Sequence, residues 1–182
     1  MTTALLIIDI QQALCFGELP TFDFDGVLKR INALASRARE LGVPVILVQH
    51  EEGKGPLQFG TDGWQFAAGF NADPADRRVR KTTPDSFHQT DLDDILREQG
   101  TRHVVVCGLQ TDFCIDTSVR RGLALGYDVT LVSDGHSTTA NDVLTAQQII
   151  AHHNATLRYL NSFGGRMAVV PAGQVALSLA TA

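Results

Sequence analysis

The sequence predicts an α/β protein built on a parallel sheet with helices on both sides, and three observations carry that prediction. Ala4-Leu5-Leu6-Ile7-Ile8 and His103-Val104-Val105-Val106-Cys107 are short, almost unbroken apolar runs, the pattern of strands buried on both faces. Between such runs lie stretches whose apolar residues recur at helical spacing and stop at a glycine. The two patterns alternate along the chain, and strands linked through helices form right-handed crossovers in a parallel sheet.

The first strand, Ala4 to Ile8, leads into a loop bearing Gly, Pro and Asp. Val27 to Leu41 then places Val27, Leu28, Ile31, Leu34, Ala35, Ala38 and Leu41 at helical spacing, with Gly42 as the stop and Pro44 beyond it. Val43 to Val48 is a second buried strand. Residues 51–76 are rich in Gly, Asp and Pro, and a connection of that length is expected to be functional or to carry short elements of its own. A short third strand is expected at Arg78 to Lys81, then a helix at Leu92 to Gln99 with Thr90 or Asp91 as its cap and Gly100 at its end. His103 to Cys107 is the fourth strand, closed by Gly108. Cys114 to Leu125 reads as an amphipathic helix stopped by Gly126, and Val129 to Val132 as the fifth strand. Asn141 opens a helix to about His153, and Met167 to Val170 forms a last edge strand before Pro171. There is no internal repeat, low-complexity tract or linker, so one domain over residues 1–182 is expected.

The 182 residues suffice for a full apolar core, with roughly 70% of the unfolded chain's surface removed from water. A 44% hydrophobic and 19% charged composition excludes a disordered chain. The formal charge of −5 argues against a nucleic-acid partner, whose phosphates attract basic surfaces. No apolar run approaches the ~18 residues of a membrane span. Met1-Thr2-Thr3 lacks the basic start of a signal peptide, and three cysteines cannot all pair, so a cytoplasmic location and free thiols are expected.

In parallel α/β sheets ligands bind outside the carboxyl ends of the strands, near the point where strand order reverses. Asp9, Gln49-His50, Lys81, Gly108 to Cys114 and Ser133-Asp134 occupy those ends. A carboxylate such as Asp9 behind five apolar residues is costly to bury unless paired. Cys15 and Cys107 read as small buried apolar residues. Cys114 differs, because it stands at an expected helix start, where free N–H groups and the dipole favour a thiolate below the free value of about 8.5. The same N–H groups can hold an oxyanion.

Together these residues give the chain a resemblance to the isochorismatase-like cysteine hydrolases. It is carried by Leu5-Leu6-Ile7-Ile8-Asp9-Ile10-Gln11, Arg80-Lys81 followed by Ser86-Phe87, and Gly108-Leu109-Gln110-Thr111-Asp112-Phe113-Cys114 with Thr117 and Arg120. Asp128-Val129, Ser133-Asp134-Gly135 and Thr138-Thr139 extend it, so that it runs from about residue 4 to 170. The resemblance implies a three-layer αβα fold with a six-stranded parallel sheet ordered 3-2-1-4-5-6. It implies a catalytic triad of Asp9, Lys81 and Cys114, and a cis Leu109–Gln110 peptide that aims the Gln110 N–H into an oxyanion hole beside that of Cys114. It further implies hydrolysis of a C–N bond of a small amide, urea-like compound or lactam through a thioester, and a homo-oligomer, dimer or higher. Val175-Ala176-Leu177-Ser178-Leu179 is an apolar stretch available to pack on the domain or a partner.

Departures from the family's branches narrow this. The metal-binding branch carries Asp-x-His after the second strand, where Val48-Gln49-His50 stands here, so neither a metal nor any other cofactor is expected. Vinyl-ether hydrolysis with Asp9 as general acid is the alternative, and a thiol redox-sensing module built on Cys114 is a further one. Gln11 and His50 are candidate polar substrate contacts, and Trp64, Phe87, Phe59 and Phe66 candidate pocket walls. The cluster Arg77 to Lys81 is available to attract an acidic substrate.

Overall fold

The computed structural model describes residues 2–17, 19 and 21–178. Six strands form one all-parallel sheet: β1 (Thr3–Ile8), β2 (Val45–His50), β3 (Arg77–Lys81), β4 (His103–Leu109), β5 (Asp128–Ser137) and β6 (Met167–Val170). Their order is β3-β2-β1-β4-β5-β6, so strand order reverses between β1 and β4. The helices are α1 (Gln12–Cys15), α2 (Phe24–Glu40), α3 (Leu92–Glu98), α4 (Asp116–Ala124) and α5 (Ala146–Leu157).

Side chains alternate across each strand, which is why a wholly apolar β1 feeds two cores. Leu5 and Ile7 pack with Val27, Ile31, Leu34 and Ala38 of α2 on one face. Ala4, Leu6 and Ile8 pack with Leu92 and Leu96 of α3 and Val119 and Leu123 of α4 on the other. Val175 closes the α2 side, where Arg37 donates to its carbonyl at 2.7 Å, while Leu179 lies outside the described residues. No helix among the described residues is long and apolar enough to cross a membrane.

Besides shifts of two or three residues at the ends of α2, β2 and β4, three element boundaries differ from the sequence expectation for a physical reason. The last helix starts at Ala146, not Asn141, because Thr145 and Gln148 form a reciprocal capping box there. Asn141 instead accepts the Val143 and Leu144 N–H groups with its side chain, a local turn that competes with helix. β5 continues past Val132 to Ser137: its register against β4 jumps between Val106–Leu131 and Gly108–His136, and the extra length carries His136 to the reversal point. Finally, the chain around Cys114 is a π-helical turn, Thr111–Ile115, with the regular helix starting only at Asp116.

Gly108 makes the centre of the sheet possible. It adopts φ +120°, and a Cβ there would lie 2.0 Å from the Ile8 carbonyl oxygen. Only glycine lets β4 run this close to β1 immediately before Asp9.

Candidate active site

Three strand ends deliver one cluster of charges. Asp9 follows β1 in a left-handed conformation, φ +56°, which an aspartate adopts rarely and which turns it out of the strand line. Lys81 ends β3, in register with His50 of β2, while Ile8 is in register with Val48. With strands about 4.8 Å apart, β3 lies about 10 Å from β1, a gap that the lysine stem and the Asp9 side chain close between them. Lys81 Nζ meets Asp9 Oδ2 at 2.8 Å, Cys114 Sγ at 3.1 Å, the Thr83 carbonyl at 3.1 Å and His50 Nδ1 at 3.2 Å. Asp9 is 0% and Lys81 2% exposed, so the ion pair sits in the protein interior.

Counting protons explains the electrostatics. The ammonium has three hydrogens and faces four acceptors. Burial pulls the Lys81 ammonium down, but Asp9 and Cys114 together outweigh it and hold its pKa above the usual lysine value. Burial and the Lys81 charge push His50 below the usual histidine value, so its Nδ1 accepts as a neutral ring. Burial, then the Asp9 charge, push the Cys114 thiol up to about 12, against the opposing pull of Lys81. The resting sulfur therefore keeps its proton, which corrects the thiolate expected from a helix start. Apart from the Lys81 ion pair, neither Asp9 oxygen has a well-angled protein donor, and the Cys114 hydrogen bond toward Asp9 contributes to the thiol's upward shift. A thiol that turns its hydrogen to Asp9 can still accept one from Lys81, whose Nζ lies 3.1 Å from Sγ.

Beside the sulfur, the Leu109–Gln110 peptide is cis. Phe113 and Ile115, the residues on either side of Cys114, both donate their N–H groups to the Gln110 carbonyl, and the Cys114 N–H is not used on it. The turn is tied to β5 by Thr111, whose hydroxyl meets His136 Nδ1 at 2.9 Å, and to the residue after β5 by Thr138, whose hydroxyl donates to Asp112 at 2.6 Å. His136 is itself held by Asn154 of α5 at 3.1 Å, and burial pushes its pKa down to about 4. Its ring is neutral, donating from Nε2 to Asn154 and accepting from Thr111 at Nδ1.

A cleft of about 230 Å³ opens onto this floor, lined by Asp9, Leu14, His50, Glu52, Leu57, Pro84, Gln110, Phe113 and Cys114. Of the residues expected at the site, Asp9, Lys81, Cys114, Gln110 and His50 come together here. Gln11, Trp64 and Phe87 do not line the cleft. The Gln11 amide is fully buried, bonded to both backbone groups of His50 and to the Trp64 carbonyl, and so fixes His50 instead of touching a ligand. Trp64 packs edge-on against Phe59, and Phe87 stacks on Tyr127 within the α3–α4 core. Phe66 packs on Phe70. Of the basic cluster, Lys81 alone is shown to enter the site: Arg80 binds Glu51 through two nitrogens at 2.6 and 3.0 Å and lies over the Phe59 ring, and Arg78 lies over Phe66. The walls that sequence reasoning missed are Leu14, Glu52, Leu57, Pro84 and Phe113. Its place directly before Cys114 was the one sequence signal for Phe113.

Asp9, His50 and Cys114 offer three donor atoms within 4.8 Å of one another, a spacing compatible with a metal ion. Lys81 Nζ contacts all three residues, so the protein's own cation already supplies positive charge to the same donor groups.

The isochorismatase domain model matches residues 3–164. The chain belongs to the isochorismatase family. A streptothricin hydrolase of Streptomyces noursei is 35% identical over 136 residues, covering 74% of this chain and 54% of the relative. The chain thus spans about half the length of the streptothricin hydrolases it matches, 54% of one and 49% of another. A ureidoacrylate amidohydrolase of Caulobacter vibrioides is 26% identical over 170 residues, covering 73% of this chain and 76% of the relative. A crystal structure of an isochorismatase family protein superposes with TM-score 0.84 at 36% identity, covering 92% of this chain and 97% of the other. Its strand order is the one that the resemblance implied.

Proposed function

We propose that this protein is a hydrolase that cleaves a C–N bond of a small amide, urea-like compound or lactam through a thioester on Cys114, with Asp9 as proton carrier and Lys81 as the supporting charge. One observation carries the reading: a single buried ammonium within 2.8 Å of a carboxylate and 3.1 Å of a thiol at the base of a cleft. Asp9 accepts the thiol proton as Sγ bonds to the substrate carbonyl carbon, and Lys81 turns a hydrogen to the sulfur. The carbonyl electron pair moves to oxygen, where the Gln110 and Cys114 N–H groups stabilise it. As the C–N bond breaks, Asp9 passes its proton to the departing nitrogen. Water then attacks the thioester, giving a proton to Asp9, and the sulfur leaves and takes that proton back. His50, neutral and fixed by Gln11, supports a polar part of the substrate.

The similarity to an amidohydrolase favours C–N chemistry. Vinyl-ether hydrolysis, with Asp9 alone as the acid, gives the contact between Cys114 and Lys81 no task. The test is a panel of small primary amides, ureas and lactams assayed for released ammonia or amine. Turnover in the wild type and none in Cys114→Ala supports the reading, and equal turnover in both overturns it.

A further inference from the structure

Among the residues lining the cleft, formal charges cancel at the floor and fail to cancel at the mouth. Asp9 is neutralised by Lys81, and His50 is held neutral by burial and by that same lysine. Glu52 is the remaining charged residue of the wall, and among the described residues no Lys or Arg forms an ion pair with its carboxylate. Arg80 is engaged by Glu51 and the Phe59 face and Arg78 by Phe66, while the exposed Lys54, two residues along the chain, makes no ion pair with Glu52 among the described residues. The Glu52 backbone is fixed even though its side chain is exposed, since its N–H donates to the Leu57 carbonyl and it bridges to Gln58. Its carboxylate is near enough to the floor to pull His50 upward against the dominant effects. Apart from the floor residues, His50 and Gln110, the rest of the cleft lining is apolar, made by Leu14, Leu57, Pro84 and Phe113.

We infer that Glu52 is the specificity-determining residue of the cleft and selects substrates that carry a protonated amine or guanidinium a few bonds from the scissile carbonyl. This rests on the C–N hydrolase reading and deepens it. An unpaired carboxylate at the mouth attracts a cation and repels a substrate carboxylate. The apolar stretch behind it accepts the hydrocarbon that separates the cation from the reacting carbon. An acidic substrate, which the run Arg77 to Lys81 suggested, meets the wrong sign of charge.

The experiment needs no known substrate. Cys114 is modified with three methanethiosulfonate reagents carrying an ethylammonium, a methyl or an ethylsulfonate group. Intact-protein mass spectrometry follows each rate, scaled to the same reagent's rate with a small free thiol. The cationic reagent is expected to outpace the anionic one, and Glu52→Gln is expected to shrink that ratio by about fivefold, the scale of one exposed charge pair. Raising the salt concentration should shrink it in the wild type as well. A ratio that is the same in Glu52→Gln and wild type overturns the assignment. Failure of the hydrolase reading has a different signature, turnover in Cys114→Ala equal to that of the wild type, and leaves the charge ratio measurable.

Discussion

The floor of the cleft and its wall are built by opposite means. The floor, Asp9, Lys81 and Cys114, hangs from the ends of β1 and β3 and from the π-helical turn that follows β4, with its two charges buried and bonded to one another. The wall, Leu14, Glu52, Leu57, Pro84 and Phe113, comes from a four-residue helix, loops and the π-helical turn, and Glu52 and Phe113 stand exposed. Strand ends cannot shift without disturbing two cores, so they suit groups whose separation decides whether a proton moves. Loops can change length and composition at little cost to the sheet, so they suit groups that choose a substrate. The floor should therefore govern chemistry and stability, and the wall affinity.

The largest effects should come from the floor. Asp9→Asn is expected to lower kcat by about 10²–10⁴-fold, the range of a lost general base. The same change should make Cys114 alkylate faster with iodoacetamide at pH 8, because it removes a charge that raises the thiol and leaves Lys81, which lowers it. The thiol inflection, pushed up to about 12 in the wild type, should move down. Falling turnover with rising reactivity separates a proton carrier from a residue that merely shapes the pocket, and a fall in both would place Asp9 in the second role. Lys81→Met leaves the Asp9 charge buried and unpaired, and denaturant unfolding should show a loss of about 3–5 kcal/mol. A loss below about 1 kcal/mol would mean that the pair is not held as described.

Smaller effects should come from the wall. Phe113→Ala is expected to raise KM about tenfold, the effect of about 1.4 kcal/mol of lost apolar contact, with kcat nearly unchanged. A large fall in kcat instead would move Phe113 to the floor. The smallest effect belongs to the support behind the nucleophile. Thr111→Val leaves His136 Nδ1 without its donor and should cost about 1 kcal/mol of stability with a severalfold loss of kcat. An unchanged kcat would show that the turn keeps its shape without β5.

This contrast also explains what could be read from the chain. Apolar runs such as Ala4 to Ile8 place strands with little ambiguity, and a strand end is one sequence position, so Asp9 and Lys81 were legible as candidates, as Cys114 was from an expected helix start. Their convergence was not, because it depends on strand order, and the order came from a family resemblance. Wall residues failed where aromatic character was taken for a lining role. Trp64 and Phe87 are equally apolar whether they face a cleft or a core, and only packing decides. Gln11 misled in the opposite way, its polarity being used on the backbone of its own protein. The resting thiol was missed because a helix start was weighed without the burial of the sulfur, the larger cause, and without the buried Asp9 carboxylate, whose charge adds to it once β1 and β4 lie side by side.

The most direct test of the account is to quench a turnover mixture with a slowly hydrolysed amide or lactam in acid and locate any added mass by peptide mapping. The account predicts an acyl increment on the peptide containing Cys114, one that disappears as product forms and is absent in Cys114→Ala. Steady turnover with an unmodified Cys114 peptide at every quench time, retained in Cys114→Ala, would contradict it.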